Sequence, residues 1–478
     1  YNIIFLGEKN MKVCNKNQKF VVCFIIIFMS LILYLSIFSA AIYSINYIKT
    51  SEDFFINVTQ RGLTLKSLNL LSKNDDSVTV EVTLPDLWIA KDRWIAVTAS
   101  SSVPSIYSNV WQKVNGNKKE LLLDENSNYI YIRDEGEISE VFNVSDYINT
   151  IISLKCDTSD DILYIGDSIN LEYSILKVGN PDDTIKINAD REGIVEINGN
   201  KITGIKNGKT KITISDSYSH KKEFELLVTD LITKPTINDN KSFLKANQYT
   251  EDEAKLLDEL LAFEINKAGE GTRAGAVAAA RFLSLQFKYK VPYFLENGRL
   301  QKHGTSDWVD GEGRYYHKGL FLSASKYSEI TSSIAGPAMW GKYITEYSNE
   351  RIMPNGLDCS GFISWCLYNG GFDPGDIGAG PNYGYKVLTD LGKSQRINMS
   401  LLKSGKVKVG DLIGCEGHIG IIIGIEDGYI TVADTILYER GVCATRYSYS
   451  SLIYSSGFTH IYDMENYYKK DGKLENMW

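Results

Sequence analysis

Paired cysteines, metal-ligand spacings, proline-rich tracts and runs of basic charge are all scarce in this chain. Its seven cysteines, Cys14, Cys23, Cys156, Cys359, Cys366, Cys415 and Cys443, form no CxxC pair and no zinc-ligand spacing, so neither a metal nor a metal cofactor is expected. Cys359 and Cys366 fall on one predicted helix, about 10.5 Å apart along its axis, too far for a disulfide. Nine prolines and 39 glycines in 478 residues exclude collagen-like and proline-rich stalks. A net charge of -8 argues against nucleic acid as a partner. With 44% hydrophobic and 23% charged residues the chain reads as folded protein, and its length predicts several domains.

Against this background one stretch stands out, Asp358-Cys359-Ser360-Gly361-Phe362, which follows a turn at Pro354-Asn355-Gly356. Phe362, Ile363, Trp365, Cys366 and Leu367 continue it with helical spacing, and Asn369-Gly370-Gly371 ends it. A thiol in the first turn of a helix feels the positive end of the macrodipole, which favours the thiolate relative to a free cysteine with a pKa of about 8.5. Small Ser360 and Gly361 leave room for a carbonyl to approach the first-turn amides, which can hold an oxyanion. Asp358 is a suitable N-cap. The competing reading of Cys359 is a small buried hydrophobe.

A base is found 59 residues further on, in Gly417-His418-Ile419-Gly420-Ile421-Ile422-Ile423-Gly424, a β-branched run that reads as a buried strand. Only five histidines occur in the whole chain. After a tight Glu426-Asp427-Gly428 turn, Tyr429-Ile430-Thr431-Val432-Ala433-Asp434 is predicted to pair antiparallel beside it. Asp434 is then the candidate to orient the imidazole, with Thr431 next if the register differs. Cys415, three residues before His418, is a rival nucleophile with no helix start behind it.

These residues, together with Val409-Gly410-Asp411-Leu412, resemble the NlpC (p-sixty) family of papain-like cell-wall peptidases in order and spacing across residues 350–440. The resemblance implies a cysteine nucleophile at Cys359, a histidine base at His418 and a third polar residue at Asp434. The family more commonly has histidine at that third position. It also implies a substrate bond in peptidoglycan stem peptides, typically between D-glutamate and a diamino acid, and a role for the residue at Asp358 in recognising a stem-peptide amine. Ser360 and Tyr316 are the other candidate substrate contacts, Tyr316 from an aromatic and glycine-rich stretch that reads as loops lining a cleft.

The N-terminus carries a second strong signal. Phe20 to Ile48 contains no charged residue and is rich in Ile, Phe, Leu and Val, long enough to cross a bilayer, which takes about 20 apolar residues. Lys9, Lys12, Lys16 and Lys19 precede it, so the positive-inside rule leaves residues 1–19 in the cytoplasm and the remainder outside. A cleaved signal peptide is the alternative, with Ser39-Ala40-Ala41 as the small-residue site.

Between membrane and motif the chain is β-rich. Residues 157–230 read as short strands separated by Asn-Gly turns, and Ile194-Val195-Glu196-Ile197, Ile202-Thr203-Gly204-Ile205 and Thr210-Lys211-Ile212-Thr213-Ile214 resemble a bacterial immunoglobulin-like domain of group two. Residues 51–156 also alternate and form a β-rich domain of no recognised family; Trp88, Trp94 and Trp111 raise a glycan-binding face as one reading. Residues 231–249 read as a linker. Residues 250–350 form a helical lead-in, with helices over 253–268 and 273–287, to a catalytic core at 351–478.

The expected architecture is therefore multidomain: a transmembrane helix, an immunoglobulin-like β-sandwich region, and a C-terminal α+β papain-like domain. The expected function is a membrane-anchored, outward-facing cysteine endopeptidase whose partners are peptidoglycan stem peptides and, through residues 20–48, the bilayer. The alternatives are a catalytically silent wall-binding or adhesive protein, and an acyltransferase or amidase on the same scaffold.

Overall fold

The structure, a computed structural model, describes residues 29, 63–86, 92–134, 137–244, 248–293, 317–322, 331–332, 336–337, 356–375, 377–379, 391–436 and 441–478. The expected transmembrane segment at 20–48, Met29 apart, lies outside the described residues, as do residues 1–19, Trp88 and Tyr316. Among the described residues no helix is long and apolar enough to cross a membrane. Contacts gather the chain into two compact units. One holds the described part of residues 1–157 with Glu172–Lys186 and Ile214–Lys222; the other holds Thr158–Leu171, Ile187–Thr213 and Glu223–Trp478.

The first strands in chain order are β1 (Ser67–Lys73), β2 (Val78–Thr83), β3 (Arg93–Thr98), β4 (Gln112–Val114), β5 (Lys118–Leu123) and β6 (Tyr129–Asp134). They are followed by β7 (Glu137–Ile138), β8 (Phe142–Asn143) and β9 (Thr150–Cys156). β1, β2 and β5 make one antiparallel sheet, while β3 is flanked by β4 and β6 in a second. The alternation in Val78-Thr79-Val80-Glu81-Val82 explains the packing, since the three valines are buried and the residues between them are partly exposed. Of the tryptophans raised as one reading of a glycan-binding face, Trp94 and Trp111 are engaged within the protein, with the Arg133 guanidinium 4.5 Å and 5.1 Å from their ring centroids.

The next group comprises β10 (Asp161–Tyr164), β11 (Ser168–Asn170), β12 (Tyr173–Val178), β13 (Lys186–Ala189), β14 (Val195–Asn198), β15 (Lys201–Gly204), β16 (Gly208–Ser215) and β17 (Lys221–Thr229). β12 pairs with β9, and the others form two sheets, ordered β10-β17-β16-β13 and β11-β15-β14. A side chain at Gly204 would meet Val228 Cγ1 at 2.8 Å and Leu163 Cγ at 3.3 Å, so one sheet lies close on the other there.

The remainder is α+β. Helix α1 (Glu251–Ala268) opens with a capping box between Thr250 and Glu253. Helix α2 (Arg273–Arg281) runs into a π-turn at Phe282–Gln286 rather than continuing to 287 as an α-helix. There the Ser284 hydroxyl donates to the Ala280 carbonyl, and the Phe287 amide reaches back five residues to Phe282. The stretch expected to be a linker is packed instead. Leu231, Ile232 and Leu244 are buried in the helical core, and the Thr233 amide donates to Gln286. Two short paired strands, β18 (Thr331–Ser332) and β19 (Gly336–Pro337), precede helix α3 (Cys359–Asn369).

After α3 come β20 (Lys393–Arg396), α4 (Met399–Lys403), β21 (Leu412–Cys415), β22 (His418–Glu426), β23 (Tyr429–Ile436), β24 (Gly441–Ser448), α5 (Tyr449–Tyr454), β25 (His460–Asp463) and α6 (Glu465–Tyr468). The strands form one antiparallel sheet in the order β20-β25-β21-β22-β23-β24. Ile419, Ile421 and Ile423 join the helical core with Phe362 and Trp365, whereas Ile413, Ile422 and Val432 join a second cluster with Leu452 and Phe458. The sheet is thus buried on both faces, which is why the histidine strand reads as a continuous apolar run.

Candidate active site

Cys359 is the first residue of α3, and Asp358 is its N-cap. The Asp358 carboxylate accepts from the Gly361 amide at 2.8 Å and from the Ser360 hydroxyl at 3.2 Å. These are the bonds of a helix cap. The helix termination expected at Asn369-Gly370 is met, with Gly370 as the C-cap.

The thiol itself departs from the expectation of a macrodipole-favoured thiolate. Cys359 is 5% exposed. Burial, followed by the charge of Asp358, pushes its pKa up to about 12, against the opposing pull of the Ile419, Ser360 and Cys359 amides. Desolvation outweighs the helix terminus because the first turn is packed under the sheet instead of facing water. The Cys359 thiol donates to the Gly417 carbonyl at 3.9 Å, so Sγ lies against the backbone on either side of His418 without a hydrogen bond to the imidazole.

His418 opens β22 directly after the Glu416-Gly417 turn, where Gly417 takes φ +78°. Its Nε2 lies 2.9 Å from Asp434 Oδ2, and its ring stacks on Phe458 with centroids 5.6 Å apart. The side chain of His418 is 29% exposed and that of Asp434 is 2% exposed. This pairing follows from register. Asp434 stands opposite Gly420, two residues along β22 from His418, whereas Thr431 stands opposite Gly424 and is thereby removed as the orienting residue. With Nε2–H donated to the carboxylate, Nδ1 keeps the lone pair a base needs. Cys415 is the cross-strand neighbour of His418 and is only partly buried; burial and Glu416 raise its pKa.

Two residues to which the sequence assigns no specific role adjoin this site. Tyr293 is partly buried, and its phenol pKa is raised by burial and then by the charges of Asp358 and Cys359. The neighbouring Pro292 carbonyl accepts from the Leu357 amide at 3.1 Å, which fixes this segment beside the start of α3. Tyr293 belongs to the aromatic and glycine-rich stretch that reads as loops lining a cleft, yet no local pattern singles it out within that stretch, and 65 residues separate it from Asp358. Cys443 donates to Asp434 Oδ1 at 3.4 Å. Among the described residues no cluster of His, Cys, Asp and Glu is suited to a metal ion.

No protein-family model matches the sequence. No curated protein matches it either. Solved structures do match. A C-terminal 282-residue fragment of intimin, solved with the intimin-binding domain of the translocated intimin receptor, is 12% identical, covers 42% of this chain and 77% of its own, and has a TM-score of 0.23. The mouse nectin-like molecule 4 ectodomain is 11% identical over 37% of this chain and 67% of its own, with a TM-score of 0.20. Fibronectin(III)-like modules of Clostridium thermocellum CbhA are 12% identical over 35% and 94%, with a TM-score of 0.14. At such scores the likeness carries no inference, and the sheets of the β-rich region rest on their own strand pairing.

Proposed function

We propose that the C-terminal α+β unit is a cysteine endopeptidase of NlpC type acting on peptidoglycan stem peptides, at the bond between D-glutamate and a diamino acid. The observation that carries this reading is the His418 Nε2 to Asp434 Oδ2 bond beside the backbone on which Cys359 Sγ rests. Asp434 holds the imidazole with Nδ1 as the basic nitrogen. Substrate binding draws Sγ from the Gly417 carbonyl to the imidazole, which takes the thiol proton as sulfur attacks the scissile carbonyl. The oxyanion is met by first-turn amides of α3 and by the Tyr293 phenol, whose raised pKa keeps it a donor. His418 returns the proton to the leaving amine, and water then resolves the thioester. Asp358 and Ser360 line the substrate side, Asp358 receiving the stem-peptide amine.

The same reading makes residues 20–48 a membrane anchor with the catalytic unit outside the cell, and residues 157–230 a spacer of the group-two bacterial immunoglobulin-like kind. Its test is mass spectrometry of peptidoglycan fragments incubated with the full chain and with its Cys359→Ala form. New stem fragments that depend on Cys359 support the peptidase and name the bond. Absence of cleavage on every wall type sinks it.

A second reading, a catalytically silent wall-binding or adhesive protein, is favoured by the buried thiol that bonds a carbonyl in place of the imidazole. Its mark is wall binding that survives Cys359→Ala with no turnover in either form.

A further inference from the structure

The sheet sets a thiol behind the carboxylate that orients His418. β23 and β24 pair Asp434 with Cys443 in direct register, so the two side chains leave the same face of the sheet. Both residues are buried. The Cys443 thiol donates to Asp434 Oδ1 at 3.4 Å while Oδ2 receives His418 Nε2 at 2.9 Å. Each carboxylate oxygen thus has its own donor. A carboxylate bound through one oxygen alone turns easily, because the last torsion of aspartate is broad and roughly two-fold. A donor on the second oxygen fixes its plane, even when that donor is a weak S–H group.

We propose that Cys443 is a positioning residue: its thiol hydrogen bond fixes the plane of Asp434 and, through it, holds His418 in the Nε2–H tautomer with Nδ1 free to act as base. A buried cysteine otherwise serves as a small hydrophobe, and Val442 and Ala444 on either side of it do pack into the helical core. Cys443 is distinguished from them by facing an oxygen. The inference rests on the reading of His418 as a general base, but its first measurement requires no turnover.

The experiment uses the full chain labelled with [15N]histidine, in which five histidines give few signals, and His418→Gln assigns the resonance. Wild type and Cys443→Ser, which retains a donor, are expected to show His418 as the Nε2–H tautomer. Cys443→Ala and Cys443→Val, which remove the donor at smaller and at similar volume, are expected to show a mixture of tautomers. In the cleavage assay the same two variants lower kcat about fivefold with KM nearly unchanged, and Cys443→Ser restores it. An unchanged tautomer in a folded Cys443→Ala or Cys443→Val chain overturns the proposal. So does a folded Cys443→Ser chain that behaves as Cys443→Ala. A wild-type chain that shows the Nε2–H tautomer but cleaves no stem peptide defeats the peptidase reading alone.

Discussion

Gly420 stands directly opposite Asp434 across the β22 and β23 pair, and a Cβ at position 420 would lie 3.2 Å from Asp434 Cβ and 2.7 Å from Val432 Cγ1. The empty position is what lets the aspartate meet the imidazole of His418 two residues away. Glycine serves here by its lack of volume, since a side chain is excluded by space.

Gly420→Ala is therefore expected to push β23 away at Val432 and Asp434. Overpacking of this kind costs about 1–3 kcal/mol. A lowered thermal midpoint accompanied by loss of the His418 Nε2–H signal is the expected result; a variant with both unchanged shows that the strands accommodate the methyl group.

Kinetics separate the orienting residue from the base. His418→Ala is expected to lower kcat by about 10⁴ and Asp434→Ala by about 10², with KM little changed in each. Thr431→Val is expected to leave cleavage as it was, because Thr431 pairs with Gly424 at the other end of the strand. Steady-state assays on stem peptides decide this, and a Thr431→Val loss larger than that of Asp434→Ala would reverse the assignment.

Thiol reactivity in the resting chain is expected to follow burial. With a pKa of about 12 for Cys359, a thiolate fraction of about 10⁻⁵ is left at pH 7. Burial disfavours the charged form, so reactivity rises with pH until that value is passed. Iodoacetamide at neutral pH should label Cys156 and Cys415, which are partly exposed, before the buried Cys359, Cys366 and Cys443. Peptide mapping by mass spectrometry reads the order. Fast neutral-pH labelling of Cys359 would show that its thiol is already activated without substrate.

Arg273 ties α2 to the sheet. Its side chain is fully buried, with Nη1 2.8 Å from Asp411, which is itself buried, and further bonds to Glu465 and Asp471. Arg273→Met leaves Asp411 as a buried charge without this partner, a change that costs about 3–5 kcal/mol. Chemical denaturation should show the loss in the C-terminal unit. Pairing it with Asp411→Leu should recover part of it, and failure to recover any would place the defect in packing.

Much of the site was legible because local chemistry declares itself. Asp358 caps the helix that begins at Cys359, Gly370 ends it, and the β-branched run after His418 forms the strand it predicts. The Glu426-Asp427-Gly428 turn was enough to bring β23 back alongside, and with it Asp434. The roles of Tyr293, within the stretch that reads as cleft-lining loops, and of Cys443 are not legible in the same way. Tyr293 lies beside a helix that starts 66 positions later, and Cys443 stands on the strand after Asp434, nine positions on, where no motif marks its thiol as a partner of the carboxylate.

The order of chemistry-bearing residues, their helix or strand setting and the pairing of neighbouring hairpins are encoded within short windows, where turn residues and hydrophobic period act over a few positions. The charge state of Cys359, the choice of Asp434 over Thr431, and the engagement of Trp94 and Trp111 by Arg133 depend on which surfaces are buried against one another. Desolvation and register are properties of the packed chain. A helix terminus favours a thiolate only while water or a counter-charge is near, and at Cys359 the covering sheet removes the water.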